Sequence, residues 1–101
     1  MSDADLTSHN VTMRDDTSSS RFELHVDGER VSHADYRIDG DVVTIRHVET
    51  DRAHRGNGYA EQLMASVIVS IRSNGQEIRP VCPFAVAYVR KHPDTHDLAA
   101  R

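Results

Sequence analysis

Two Asp-Gly steps, Asp27-Gly28 and Asp39-Gly40, constrain the fold of this chain more than any other feature. Asp-Gly favours two-residue hairpin turns, because glycine readily adopts the positive φ that such turns require. The segment before the first step alternates apolar and polar residues with a period of two, as Phe22, Leu24 and Val26 show. Similar runs over residues 30–38 and 42–50 flank the second step. The pattern predicts a three-stranded antiparallel meander.

The second half of the chain predicts a helix, a short strand and a second helix. Asn74-Gly75 is expected to end the first helix, and Pro83 is expected to lie in the first turn of the second, over residues 83–91. Residues 77–81 between them read as a strand. The order βββ-α-β-α predicts an α+β fold, a mostly antiparallel mixed sheet with two packed helices. Apolar residues of the first helix recur at spacings of three and four: Tyr59, Leu63, Met64, Val67, Ile68 and Ile71.

Residues 1–20 are mostly Ser, Thr, Asp and Asn, with too few apolar side chains to offset the entropy of ordering. We therefore expect a disordered polar tail over residues 1–20 and one domain over residues 21–99. A chain of 101 residues leaves no room for a second core.

Composition narrows the class of protein. A net charge of −4 argues against nucleic acid as a partner, and no segment is long and apolar enough for a membrane span or a secretion signal. Cys82 is the only cysteine, so no intrachain disulfide is possible and a reduced, cytoplasmic setting is expected. The basic residues are almost all arginine, with Lys91 the one lysine, which suggests a GC-rich bacterial genome.

The turn Arg55-Gly56-Asn57-Gly58 lies between the third predicted strand and the long helix. Bare backbone at a helix N-terminus offers N–H groups to an anion such as a diphosphate. The alternative is that both glycines only shape a tight connection. A dinucleotide fingerprint is not met, since Glu61 stands where its third glycine would be, and no Gly-Lys-Ser/Thr of a P-loop occurs.

The segment Ala53-His54-Arg55-Gly56-Asn57-Gly58 resembles the acyl-CoA turn of the GNAT N-acetyltransferase superfamily, Q/R-x-x-G-x-G/A. Pro80-Val81-Cys82-Pro83-Phe84, then Tyr88 and His92-Pro93, resemble a subfamily of very small GNAT-like proteins. One departure is Ala53, which stands where the superfamily usually has Gln or Arg. The resemblance implies a minimal GNAT fold with acetyl-CoA as co-substrate. It also implies a cofactor site formed by Val48, Thr50, Arg55, Gly56, Asn57, Gly58, Tyr59 and Ala60.

Acetyl transfer to an amine needs a proton acceptor for the amine and a proton donor for the leaving thiolate. By position, Tyr88 resembles the general acid of many GNAT enzymes, with a surface-facing core tyrosine as the alternative. His47 and Glu49 share one face of a strand and are candidates for the base, unless both simply face solvent. Cys82, at the start of a helix, is a candidate acyl acceptor or an inert packing residue. His92 and His96 are four apart, but Pro93 lies between them, so no metal is expected.

The sequence thus predicts an acetyl-CoA-binding N-acetyltransferase with an unidentified amine acceptor, acting as a monomer or homodimer. The alternative is a CoA-binding or interaction module with little turnover, and a general nucleotide-phosphate binder ranks last. Larger GNAT enzymes use extra N-terminal helices and a C-terminal strand pair around the acceptor site. We therefore expect a pocket that is partly open or completed by a partner subunit.

Overall fold

The computed structural model describes residues 10–100. Five strands form one sheet in the order β1-β2-β3-β4-β5, antiparallel except for the parallel pair β4 and β5. Two α-helices and two short 3-10 helices, Arg52–His54 and Pro93–Leu98, complete the described chain. The predicted mostly antiparallel mixed sheet with two helices is confirmed. The strands and α-helices are β1 Val11–Asp16, β2 Arg21–Val26, β3 Glu29–Asp39, β4 Val42–Thr50, α1 Tyr59–Ser73, β5 Glu77–Pro80 and α2 Pro83–Lys91.

The core lies between one face of the sheet and α1. Leu63, Met64 and Val67 of α1 are fully buried, as the spacing of apolar residues predicts. They pack in one cluster with Leu24 of β2 and Ile45 of β4, which are also fully buried. The sheet therefore has an inner face, which is covered by α1. We call the opposite face the outer face.

Cross-strand register assigns polar side chains to the outer face. Asp35 lies opposite both Arg21 and His47, and His33 lies opposite both Glu23 and Glu49. Directly opposed residues share a face of the sheet. The outer face therefore carries two rows of titratable side chains across β2, β3 and β4.

The first hairpin turn is as predicted, with Asp27 at φ 52° and Gly28 at φ 86°. The second differs by one residue. Asp39 pairs with Val42, so the two loop residues are Gly40 and Asp41, and Gly40 supplies the positive φ of 60°. Glycine therefore occupies the first position of this loop rather than the second.

The prediction of a disordered tail over residues 1–20 is wrong for residues 11–16, which form β1. This strand pairs with β2 from Val11 opposite Val26 to Asp16 opposite Arg21. Most of its side chains are exposed, so hydrophobic alternation does not reveal it. Pairing with β2 and a 2.7 Å hydrogen bond from the Tyr36 hydroxyl to the Asp15 carboxylate hold it in place. Residues 1–9 lie outside the described part of the chain.

β4 and β5 separate after four residue pairs. Their parallel pairing runs from Val42 opposite Glu77 to Ile45 opposite Pro80. Beyond it, the N–H groups of Val81 and Cys82 both point back to the carbonyl of Ile45, and α2 begins. The last five residues of β4 thus have β3 on one side and, within residues 10–100, no strand on the other. No helix in the described part of the chain is long and apolar enough to cross a lipid bilayer.

Candidate active site

The connection from β4 to α1 contains two glycines with left-handed backbone, Gly56 at φ 85° and Gly58 at φ 74°. Gly58 is the N-cap of α1, and no side chain in the described part of the chain caps this helix end. The first helical hydrogen bond is donated by the Gln62 N–H to the carbonyl of Gly58. The N–H groups of Tyr59, Ala60 and Glu61 therefore precede any intrahelical acceptor and remain available to an anion.

Side chains within this connection hold its shape. Arg55 donates from Nε to the carbonyl of Thr50 at 3.2 Å, and Asn57 donates from Nδ2 to the carbonyl of His54 at 3.0 Å. The Arg55 bond ties the glycine turn directly to the last residue of β4. The predicted turn residues and the free strand edge are thus adjacent in space.

The C-terminal half of β4 is anchored on the β3 side. The Ser32 hydroxyl donates to the carbonyl of Glu49 at 2.9 Å and lies 3.3 Å from the Thr50 hydroxyl. Val48 is half-buried and packs against the core cluster. On the opposite edge, Val48 and Thr50 lie beyond the end of the β4–β5 pairing, so an extended chain could pair there as an added strand would.

His47 and Glu49 form a hydrogen-bonded pair on the outer face. His47 Nε2 lies 2.9 Å from Glu49 Oε1, and this hydrogen bond lowers the pKa of the Glu49 carboxyl. Both side chains are about half exposed, with 55% and 49% of their surface accessible. The predicted sharing of one face is confirmed, and the pair is open to a substrate from outside.

His33, which no sequence pattern singled out, lies beside this pair. Its ring centroid is 6.3 Å from that of His47. Only 9% of His33 is exposed, and its Nδ1 has no hydrogen-bond partner within the described residues. Burial lowers its pKa, so this ring favours the neutral form.

Tyr88 lies on α2, on the helical side of the sheet. It is 8% exposed and stacks on His92 with a ring-centroid distance of 3.9 Å and an interplanar angle of 17°. Burial, followed by the charges of Asp94 and Glu61, raises the pKa of its hydroxyl. Tyr88 also lines a cavity of about 350 Å³ between α1 and the second 3-10 helix. No hydrogen bond within residues 10–100 links it to His47 or Glu49.

Cys82 is the N-cap of α2. Its Sγ accepts a hydrogen bond from the Ala85 N–H at 3.4 Å, and 7% of the residue is exposed. The thiol is thus engaged in packing and capping.

His92 and His96 both use a ring nitrogen on backbone carbonyls at the end of α2. His92 Nδ1 donates to the carbonyl of Tyr88 at 2.7 Å, and His96 Nε2 donates to that of Val89 at 3.0 Å. Within the described ranges, no group of three metal-ligating side chains converges. The two histidines therefore cap α2 in this structure.

Comparison with known proteins identifies the family. The GCN5-related N-acetyl-transferase family matches residues 21–98. The chain belongs to this family. The match confirms the class predicted from the sequence, an acetyl-CoA-dependent N-acetyltransferase, and leaves the acceptor unidentified. No curated protein matches the chain.

Solved structures support the fold. A GCN5-like protein from Staphylococcus aureus, solved by NMR, is 20% identical with a TM-score of 0.68, over 90% of this chain and 89% of that one. The ribosomal-protein-S18-alanine N-acetyltransferase of Escherichia coli is 17% identical with a TM-score of 0.60, over 70% of this chain and 49% of that enzyme. N-acetylglutamate synthase of Neisseria gonorrhoeae, complexed with coenzyme A and N-acetyl-glutamate, is 20% identical with a TM-score of 0.57, over 72% of this chain and 18% of that protein. The chain thus spans half or less of both named enzymes.

Proposed function

We propose that the chain binds acetyl-CoA between β4 and α2 and transfers the acetyl group to an amine that approaches from the outer face. The observation that carries this proposal is the uncapped start of α1, with Gly56 and Gly58 at positive φ, tied through Arg55 to the free edge of β4. A diphosphate suits the turn, because three first-turn N–H groups and the positive end of the helix dipole point the same way.

The remaining cofactor contacts follow from this placement. The pantetheine arm lies along Val48 and Thr50 and pairs with a backbone edge that no strand of the described residues occupies. Amides from Arg55 to Ala60 hold the diphosphate. With Ala53 in place of the usual Gln or Arg, backbone donors supply most of the recognition.

His47 and Glu49 act as the base in this proposal, and Tyr88 acts as the acid. The amine nitrogen attacks the thioester carbonyl, its proton passes to the His47–Glu49 pair, and the carbon–sulfur bond breaks. The departing thiolate takes its proton from the Tyr88 hydroxyl, whose raised pKa keeps it protonated at neutral pH. Cys82, which is buried and hydrogen-bonded, takes no covalent part.

A bacterial, cytoplasmic setting is also proposed. It is supported by the arginine-rich composition and by a single cysteine that is free and buried.

The proposal is tested by calorimetry with CoA and by CoA release from acetyl-CoA in the presence of amines. Gly58→Ala places a side chain on left-handed backbone, a strain of about 1–2 kcal/mol that displaces the turn, and weakens CoA binding by about tenfold or more. Gly75→Ala is the matched control, since Gly75 has φ 67° at the other end of α1 and equally open surroundings. It lowers stability to a similar degree and leaves CoA binding unchanged.

The outcomes separate the alternatives. Native protein that gives no heat with CoA or acetyl-CoA contradicts the proposal outright. Binding without acetyl-CoA consumption supports a CoA-binding module. Competition by ATP as strong as that by CoA indicates a general nucleotide-phosphate binder.

A further inference from the structure

Where β4 pairs with β3, β4 contains one residue more than the opposing segment, and that residue is Arg46. Tyr36 lies opposite Ile45 and Asp35 lies opposite His47, so Arg46 has no opposing residue. A bulge of this kind turns a side chain away from the regular alternation. Arg46 and His47 are both exposed and line one cavity, whereas Ile45 is fully buried.

This cavity, which we call the bulge cavity, has a volume of about 440 Å³ and opens on the outer face. The turn between β1 and β2 contributes Ser19 and Ser20, and the sheet contributes Asp35, Arg46 and His47. Its size is within the range of small-molecule sites. Since His47 belongs to both the bulge cavity and the His47–Glu49 pair, a ligand in the cavity contacts the proposed base.

Among the described residues, Arg46 is the arginine of the bulge cavity without a carboxylate partner. Arg21, the other arginine in its lining, pairs with Asp35 at 3.0 Å. Arg37, on the neighbouring strand β3, pairs with Asp39 at 3.4 Å. No ion pair within residues 10–100 involves Arg46. The bulge cavity thus has a local excess of positive charge in a chain of net charge −4.

We propose that the bulge cavity is the acceptor site and that its substrate is an amino carboxylate. Arg46 binds the carboxylate through its planar, bidentate guanidinium, and Ser19 and Ser20 line the same cavity. The amine then lies at His47–Glu49. Consecutive residues of β4 supply the two anchors, and both line the bulge cavity.

This inference rests on the proposed acetyl transfer. Its test distinguishes a failure of the acceptor-site inference from a failure of the proposed transfer. The acceptors are glycine, β-alanine and γ-aminobutyrate, each compared with its carboxamide. The wild-type protein is expected to acetylate at least one of the acids with a KM about 10- to 100-fold below that of its amide, as a charge-assisted hydrogen-bonded pair provides.

Arg46→Gln is expected to raise the KM of the preferred acid to that of its amide, with little change for the amide itself. Arg46→Lys keeps the positive charge but not the bidentate geometry. It is expected to retain part of the difference in KM between the acid and its amide. Arg37→Gln is the matched control and is expected to leave the preference intact.

A second readout does not depend on turnover. The N-acetylated form of the preferred acid, added to the CoA-bound protein, is expected to shift the NMR signals of Arg46 and His47, and the N-acetylated amide is not. Equal use of acids and amides, or an Arg46→Gln effect of the same size on both, overturns the inference while the proposed transfer stands. Absence of CoA binding overturns both.

Discussion

Tyr88 illustrates how one side chain's surroundings determine its chemistry. Its hydroxyl is neutral when protonated, and burial raises its pKa above the ordinary value of 10.0. A raised pKa means that the proton is held to higher pH. Tyr88 is therefore available as an acid throughout the neutral and mildly alkaline range and loses that capacity only above pH 10.

Tyr88→Phe removes this acid without changing the ring that stacks on His92. We predict that kcat falls by about 100-fold, in the range typical of a lost general acid, while CoA affinity is retained. A pH profile adds a second check, since a fall of wild-type kcat above pH 10 should disappear in the variant. An unchanged kcat would assign Tyr88 to packing alone.

For Cys82, in contrast to Tyr88, we predict that substitution leaves the transfer rate unchanged. Serine also caps helix N-termini well, so Cys82→Ser should keep the hydrogen bond from the Ala85 N–H. We predict an unchanged transfer rate and no acetyl adduct on the wild-type protein by intact mass. Cys82→Ala loses the cap and should be about 1 kcal/mol less stable with the same rate. A wild-type adduct that Cys82→Ser abolishes, together with lost activity, would instead show a covalent role.

At the scale of elements, β1 is held by its pairing with β2 and by a polar contact with β3. Tyr36→Phe removes the 2.7 Å hydrogen bond to Asp15, which is part-buried. We predict that the free energy of unfolding falls by about 1 kcal/mol. Relative to the wild type, the exchange rates of the β1 amides should increase more than those of the β4 amides. Tyr59→Phe is a matched control, since its hydroxyl has no hydrogen-bond partner among residues 10–100. Equal losses in the two variants would contradict this account of β1.

These elements show what sequence can and cannot predict. Three elements are predicted by patterns that lie within them, and all three are present. Alternation predicts β2, a stripe of apolar residues predicts α1, and two glycines before a helix predict the glycine turn. β1 is predominantly polar, so its stability comes from pairing and from Tyr36 on another strand, which no local pattern contains. The bulge at Arg46 cannot be predicted from a local pattern either, because it depends on the register between β4 and β3.

The residues of the candidate site also differ in whether the sequence alone could identify them. Arg55, Gly56 and Gly58 could be identified because the whole turn is contiguous in the chain. His33 could not, since its burial arises from the neighbouring rows of the outer face. The bulge cavity requires the β1–β2 turn to meet β4, and the sequence placed that turn in a disordered tail.

At the scale of the whole molecule, cofactor binding should stabilise the fold by mass action. At a CoA concentration 100-fold above Kd, the added stability is about 2.7 kcal/mol. For a domain of this size, each kcal/mol raises Tm by about 4–8 °C, so we predict an increase of roughly 10 °C or more by thermal unfolding. Gly58→Ala, with a Kd about tenfold higher or more, should show about half of this increase or less at the same concentration, and ATP should produce little. An equal increase with ATP would contradict specific recognition of CoA.

The extra residue in β4 also determines how this chain tolerates a deletion. Removing Arg46 would place Ile45 next to His47, opposite the adjacent residues Tyr36 and Asp35, so regular alternation would keep His47 and Glu49 on the outer face. Val48 would still pack against the core. A deletion of this single codon should therefore preserve the fold and remove only the guanidinium from the bulge cavity, so related chains without the extra residue should remain folded and show no preference for an amino carboxylate.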